Sequence, residues 1–164
     1  MASNGRTVLS IQNVKALVMD FDGVFTDNRA LVFEDGREAV FVSRGDGMGI
    51  SLLRRVDFPM IVISTERNPV VSVRCKKLQI ECVQGVDDKL PVLRDWVSKI
   101  GVELGETAYV GNDINDVECM EAVGVGIAVA DAHEPALKVA NIVLSASGGH
   151  GAVREVVDMI IRTA

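Results

Sequence analysis

The 164-residue chain is short of cysteine, of aromatic side chains and of positive charge. Its three cysteines, Cys75, Cys82 and Cys119, are odd in number and widely spaced, with no Cys-x-x-Cys pair. That pattern supplies neither a disulfide framework nor a thiolate zinc site, so buried free thiols are the expected state. A net charge of -6 lacks the clustered Lys and Arg from which general nucleic-acid binding draws its affinity. No apolar run nears the roughly 20 residues of a membrane-crossing helix, because charged residues interrupt every hydrophobic block. The leading residues MASNGRTVLS lack the basic and apolar regions of a secretory signal, which makes the cytoplasm the expected compartment. Repeats, low-complexity runs and Pro/Ser-rich linkers are missing too. What is abundant is apolar side chain, 48% of residues, which excludes a disordered chain and suffices for one core. The expected organisation is a flexible N-terminus over residues 1–13 and a single domain over 14–164.

The hydrophobic blocks alternate in kind. Residues 16–19, 60–63, 80–83, 108–110 and 125–129 are short apolar runs bounded by Asp, Gly or Ser, the pattern of strands buried on both faces. Between them, residues 68–78, 88–100, 114–122 and 152–161 repeat apolar positions every three or four residues. Leu90, Leu93, Val97 and Ile100 are an example, with Pro91 in the tolerated first turn. This alternation predicts an α/β fold, a mainly parallel sheet with helices on both faces. One segment breaks the rhythm. Residues 30–33 and 38–42 are β-prone and flank Glu34-Asp35-Gly36-Arg37, which predicts a β-hairpin over about 28–43. It would stand above the carboxyl edge of the sheet, where open α/β sheets bind ligands.

The chemistry-bearing residues fall at the ends of the predicted strands. Alternation along an extended chain puts Asp20 and Asp22 on one side. Two carboxylates so placed repel and raise one pKa unless a cation intervenes, and Gly23 permits a sharp turn beside them. An Asp-Gly turn closing a strand is the plainer reading of either aspartate alone. The second strand runs into Ser64-Thr65-Glu66-Arg67, whose hydroxyls could donate to an oxyanion or merely cap a helix. Lys89 lies in the first turn of a helix, where the macrodipole disfavours a cation. A carboxylate or phosphate to neutralise would explain it. After the fourth strand, Gly111-Asn112-Asp113-Ile114-Asn115-Asp116 groups acid and amide oxygens suited to Mg²⁺, with helix capping by Asp113 as the plainer alternative. His133 and His150 have no partner at ligand spacing, and Trp96 and the six methionines fit helix cores.

Asp-x-Asp, Ser, Lys and an Asn/Asp cluster, in this order, resemble the four motifs of the haloacid dehalogenase (HAD) superfamily of aspartyl phosphotransferases. Residues 44–50 (RGDGMGI), 85–90 (GVDDKL), 128–133 (AVADAH) and 148–155 (GGHGAVRE) are similar to its small capless branch, over about residues 14–161. That branch holds 3-deoxy-D-manno-octulosonate (KDO) 8-phosphate phosphatase, the KDN 9-phosphate phosphatases and the C-terminal domain of some CMP-sialate synthetases. The resemblance implies a Rossmann-like three-layer sandwich and Mg²⁺-dependent hydrolysis of a phosphorylated eight- or nine-carbon acidic sugar. Asp20, ionised near its ordinary pKa of about 4, would attack phosphorus and form an aspartyl-phosphate that water then cleaves. Asp22 would protonate the leaving oxygen and afterwards activate the water. Ser64 and Lys89 would stabilise the transferring phosphoryl group. Asp20, the Asp22 carbonyl and Asn112 or Asp113 would hold the metal, and Thr65, Glu66, Arg67 and Arg44 would meet the sugar.

Three departures mark this chain within the branch. Asn112 stands where most of the phosphatases carry Asp, as it does in the synthetase domains. Ser64-Thr65-Glu66 stands where the KDO enzymes usually carry Thr-Gly-Arg, and a Glu at this position resembles the KDN 9-phosphate phosphatases. His150 and Gly45 take places that are commonly basic. The branch further implies a homotetramer in which hairpins meet at the centre and a neighbouring subunit caps each site, covering Leu31, Phe33 and Phe41. The alternative is a catalytically quiet oligomerisation or regulatory domain, favoured by Asn112 and opposed by the retained Asp20 and Asp22. A receiver-like phosphoacceptor fits less well, because of the hairpin and Asp22.

Overall fold

Residues 10–161 are described by a computed structural model. In chain order, its first half runs β1 (Ala16–Met19), β2 (Leu31–Val32), β3 (Glu38–Ala39), α1 (Arg44–Arg54), β4 (Met60–Ile63), α2 (Val70–Leu78) and β5 (Glu81–Val83). The second half runs α3 (Lys89–Ile100), β6 (Thr107–Gly111), α4 (Val117–Ala122), β7 (Val125–Ala128), α5 (Glu134–Val139), β8 (Ile142–Val143) and α6 (Ala152–Ile161). A polypeptide can hold runs such as Ala16–Met19 and Met60–Ile63 out of water only between two layers of side chains. Every residue of β1, β4, β6 and β7 is accordingly buried.

The six long-range strands form one parallel sheet in the order β5-β4-β1-β6-β7-β8. The chain goes from β1 outward to β4 and β5, then crosses back to β6 on the other side of β1. The strand order therefore reverses at β1, the place where such sheets open a crevice at their carboxyl edge. Side-chain caps start two of the helices: Ser43 Oγ accepts the N–H groups of Gly45 and Asp46 at α1, and Asp88 Oδ1 accepts that of Leu90 at α3.

The hairpin forms as an antiparallel pair, Leu31 opposite Ala39 and Val32 opposite Glu38, turning at Gly36. It is shorter than the alternating sequence suggests and packs on little: Leu31, Val32, Phe33 and Phe41 are all exposed. Three elements escape the periodicity reading, namely α1, α5 and the two-residue β8. Residues 1–9 of the segment read as a flexible N-terminus lie outside the described residues. Its last three, Ile11–Asn13, instead form a 3-10 turn with Ile11 buried in the core. Cys75 and Cys119 are buried, Cys82 is half-buried, and all three are free thiols. No helix among the described residues is long and apolar enough to cross a membrane.

Candidate active site

Because β1 lies between β4 and β6, their carboxyl ends bring Asp20, Ser64 and Asn112 to one place. The placement of Lys89 follows from charge. Its ammonium donates to Asp20 Oδ1 at 2.7 Å and to Asp116 Oδ1 at 2.8 Å, with all three side chains withdrawn from solvent. Asp116 is satisfied further by the Tyr109 hydroxyl at 2.7 Å and by the backbone N–H groups of Asn112 and Asp113 at 2.9 and 3.4 Å. Two carboxylates on one ammonium account for a cation in a helix's first turn, since a direct ion pair outweighs the dipole.

The loop after β1 is held from several sides. Gly23 has φ +83° and touches the Asn112 amide so closely that a Cβ there would lie 2.0 Å from it, so only glycine fits. Thr26 Oγ1 accepts the N–H of Gly23 at 3.0 Å and that of Asn28 at 3.2 Å. The glycine-rich segment closes the loop from below. Gly149 donates its N–H to the Val24 carbonyl at 3.0 Å, and a Cβ on Gly148 would fall 1.9 Å from the Gly23 carbonyl oxygen. Asp131 Oδ1 accepts the Gly148 N–H at 2.9 Å and so fixes that segment in turn.

One side-chain amide atom of Asn112 lies 3.0 Å from the Asp22 carbonyl oxygen and 3.0 Å from Asp20 Oδ2. As nitrogen it donates to both. As oxygen it completes a triangle of three oxygens that only a cation can reconcile. Asp113, the rival ligand, lines the same cavity: its Oδ1 accepts the Ile114 N–H at 2.7 Å and its Oδ2 lies 3.6 Å from His133 Nε2. Among the described residues no three His, Cys, Asp or Glu side chains are placed to hold a metal together. One carboxylate, one carbonyl and one amide are nonetheless the sparse donor set with which Mg²⁺ keeps several of its waters.

Burial, then the negative charge of Asp116, push the Asp20 carboxyl up to about 7 against the pull of Lys89. The ordinary value expected from sequence therefore does not hold without a metal, and a cation on the free oxygen is what would keep this carboxyl ionised. The Asp22 carboxyl is also raised, by burial first and by Glu66 second, with Lys89 opposing. The neighbouring carboxylate expected to act on Asp22 is thus Glu66 rather than Asp20. Burial alone would lower Lys89, but Asp20 and Asp116 outweigh it and hold its ammonium above the usual range.

A cavity of about 330 Å³ opens over Asp20, Asp22 and Asn112, walled by Thr65 and Glu66 on one side and by Arg29 and Glu38 on another. Ser64 and Lys89 are buried. Ser64 Oγ accepts the Glu66 N–H at 3.1 Å, and Glu66 Oε1 accepts those of Arg67 and Asn68, each at 2.7 Å. Arg67 and Arg44 are not brought in. Arg67 faces Asp87 at 3.5 Å in solvent, and Arg44 is exposed at the start of α1. Sequence reasoning missed Tyr109, hidden within an apolar run, and Arg29, which no motif marks. His150 Nδ1 lies 2.8 Å from the Gly148 carbonyl, a local contact within the glycine-rich segment.

A doubly wound sheet with an Asp-x-Asp turn, a buried lysine on the first aspartate and an asparagine amide beside it defines a class of hydrolase. The chain belongs to the haloacid dehalogenase-like hydrolase family, whose model matches residues 61–156, and it is a phosphatase of that family. It is similar to the 3-deoxy-D-manno-octulosonate 8-phosphate phosphatase of Escherichia coli K12, 34% identical over 155 residues that cover 94% of this chain and 82% of that protein. Among solved structures it is similar to a HAD-family hydrolase from Streptomyces avermitilis, with TM-score 0.90, 43% identity and coverage of 94% of this chain and 88% of that one. It is also similar to the KDO 8-phosphate phosphatase of Moraxella catarrhalis in complex with magnesium, phosphate and KDO. There the TM-score is 0.90 and the identity 32%, covering 94% of this chain and 89% of that one.

Proposed function

We propose that the chain is a Mg²⁺-dependent phosphomonoesterase acting on a phosphorylated eight- or nine-carbon acidic sugar, of the KDO 8-phosphate or KDN/sialate 9-phosphate kind. The observation that carries this reading is the convergence of Asp20 Oδ2, the Asp22 carbonyl and the Asn112 amide beside the buried Lys89. The magnesium, phosphate and KDO held by the Moraxella relative support it. Mg²⁺ held by these three groups would supply positive charge to the phosphoryl oxygens. Lys89 anchors Asp20 for in-line attack on phosphorus. Asp22, its carboxyl raised, gives a proton to the leaving alkoxide and then takes one from the water that cleaves the aspartyl-phosphate. Inorganic phosphate leaves and Asp20 is regenerated. Ser64, at the end of β4, joins Lys89 in stabilising the transferred group, with Thr65 and Glu66 facing the sugar.

The test is phosphate release from an aryl phosphate and from sugar phosphates, with and without Mg²⁺. Activity no higher than that of Asp20→Asn would leave only the quiet oligomerisation domain. Among KDO 8-phosphate, KDN 9-phosphate and N-acetylneuraminate 9-phosphate, Glu66 predicts that the first is poorest. A clear preference for it would overturn that part. The exposed apolar hairpin, with Phe41 77% exposed, supports a homotetramer whose neighbouring subunit covers each cavity. Phe41→Ser should dissociate it in sedimentation, and a wild-type chain that sediments as a monomer refutes it. Three free thiols suit the reducing cytoplasm, where we place the enzyme.

A further inference from the structure

The residues lining the cavity are strongly one-sided in charge. Asp20, Asp22, Glu38, Glu66 and Asp113 contribute carboxylates, and among these described lining residues Arg29 is the one cation. Lys89 is spent on Asp20 and Asp116, while Arg44 and Arg67 stand outside. A phosphorylated acidic sugar carries two anionic groups. The phosphoryl end has Lys89 and the Asn112 amide, whereas a carboxylate at the other end would meet carboxylates and neutral side chains, with Arg29 as the one cation among the described lining residues.

Arg29 is also built into position. Its Nε and Nη2 both donate to Asp27 Oδ2, at 2.9 and 2.6 Å. That clamp consumes one edge of the guanidinium and leaves the remaining N–H groups free as a fork, the geometry that takes a carboxylate in two parallel bonds. Asn28, at φ 63°, turns the chain so that Arg29 folds back on Asp27. The Thr26 hydroxyl that accepts the Asn28 N–H is the same one that accepts the Gly23 N–H in the catalytic turn. The distance from the phosphoryl site to this guanidinium is therefore set by one short, internally bonded loop.

We propose that Arg29 is the specificity-determining residue that receives the substrate's carboxylate, with Asp27 as its positioning residue. This rests on the phosphatase reading above. The test compares kcat/KM on KDO 8-phosphate or KDN 9-phosphate with that on para-nitrophenyl phosphate, which has no carboxylate, using the full chain with Mg²⁺. Arg29→Ala should lower the acidic-sugar to aryl-phosphate ratio by about tenfold or more, mainly through the sugar's KM, as loss of a charged hydrogen-bonded pair does. Arg29→Lys should restore part of the ratio, and Asp27→Asn, which keeps the cation but frees it, should lower it less than Arg29→Ala. Added salt should raise the wild-type KM for the acidic sugar more than that of Arg29→Ala, because the attraction is screened. An unchanged ratio, or equal slowing of both substrates, overturns the assignment while leaving the phosphatase reading intact. Wild-type activity on neither substrate above Asp20→Asn overturns both.

Discussion

Asp116 and Asp46 are both completely buried, yet they live differently. Asp116 receives Lys89, the Tyr109 hydroxyl and two backbone N–H groups, so both of its oxygens are satisfied. Asp46, in the first turn of α1, receives only the Arg154 N–H at 2.9 Å, and its Oδ2 makes no hydrogen bond. Arg74 lies near enough to pull its pKa down but leaves its own Nε unpaired and gives Nη2 to the Ser43 carbonyl. Burial prevails, and the Asp46 carboxyl is pushed up to about 6. Depth alone does not decide how well a carboxylate is satisfied; the donors placed around it do. At the cavity edge, Asp116 shares the Lys89 ammonium with Asp20. Between α1 and α6 the carboxyl is a cap, closing the N-terminus of α6 from a distant helix.

That contrast can be broken most forcefully at Lys89. Lys89→Ala leaves Asp20 and Asp116 facing each other without their cation and should cost about 3–5 kcal/mol in urea unfolding. A cost below about 1 kcal/mol would show that the buried ion pair adds little to stability. The next largest effect is expected at Asp46, whose carboxyl titrates near 6 in the folded chain against 3.8 unfolded. A raised folded pKa contributes stability that is complete below the unfolded value and is lost as pH rises through the folded one. Asparagine does not titrate, so Asp46→Asn should gain about 2–3 kcal/mol relative to wild type between pH 4 and pH 7. A pH-independent difference would mean that Asp46 is charged throughout. Tyr109→Phe is the mildest change: it removes one of several donors to Asp116 and should cost about 1–2 kcal/mol in thermal unfolding. No cost would show that the other donors already satisfy it.

Strands, and the charged residues gathered at their carboxyl ends, were legible from sequence where burial or charge broke a local rule. Apolar runs without polar alternation marked β1, β4, β6 and β7, and a lysine at the wrong end of a helix marked Lys89. The helix α1 was not legible, because Gly45, Gly47 and Gly49 argue against helix over its first half. Tertiary packing overrides that propensity. A Cβ on Gly49 would lie 3.3 Å from the Arg154 Cα, so its bareness is what lets α1 and α6 meet. Likewise α5 and β8, at six and two residues, are too short for a period to show. The triangle at Asn112 was half legible. The grouped oxygens suggested a cation; the structure sets the Asn112 amide beside Asp20 and the Asp22 carbonyl, while Asp113 accepts the Ile114 N–H and lies near His133. Arg29 lacked any signal, because its place depends on a left-handed residue and an ion pair two positions back.

The contact between Gly148 and the Gly23 carbonyl joins segments from opposite ends of the fold. On the ribosome, the turn bearing Asp20 and Asp22 is made early and must wait for its floor until nearly all of the domain has emerged. Contacts of such long sequence separation form late and slowly. The turn bearing Asp20 and Asp22 should therefore be completed late in folding, after the burial of the sheet.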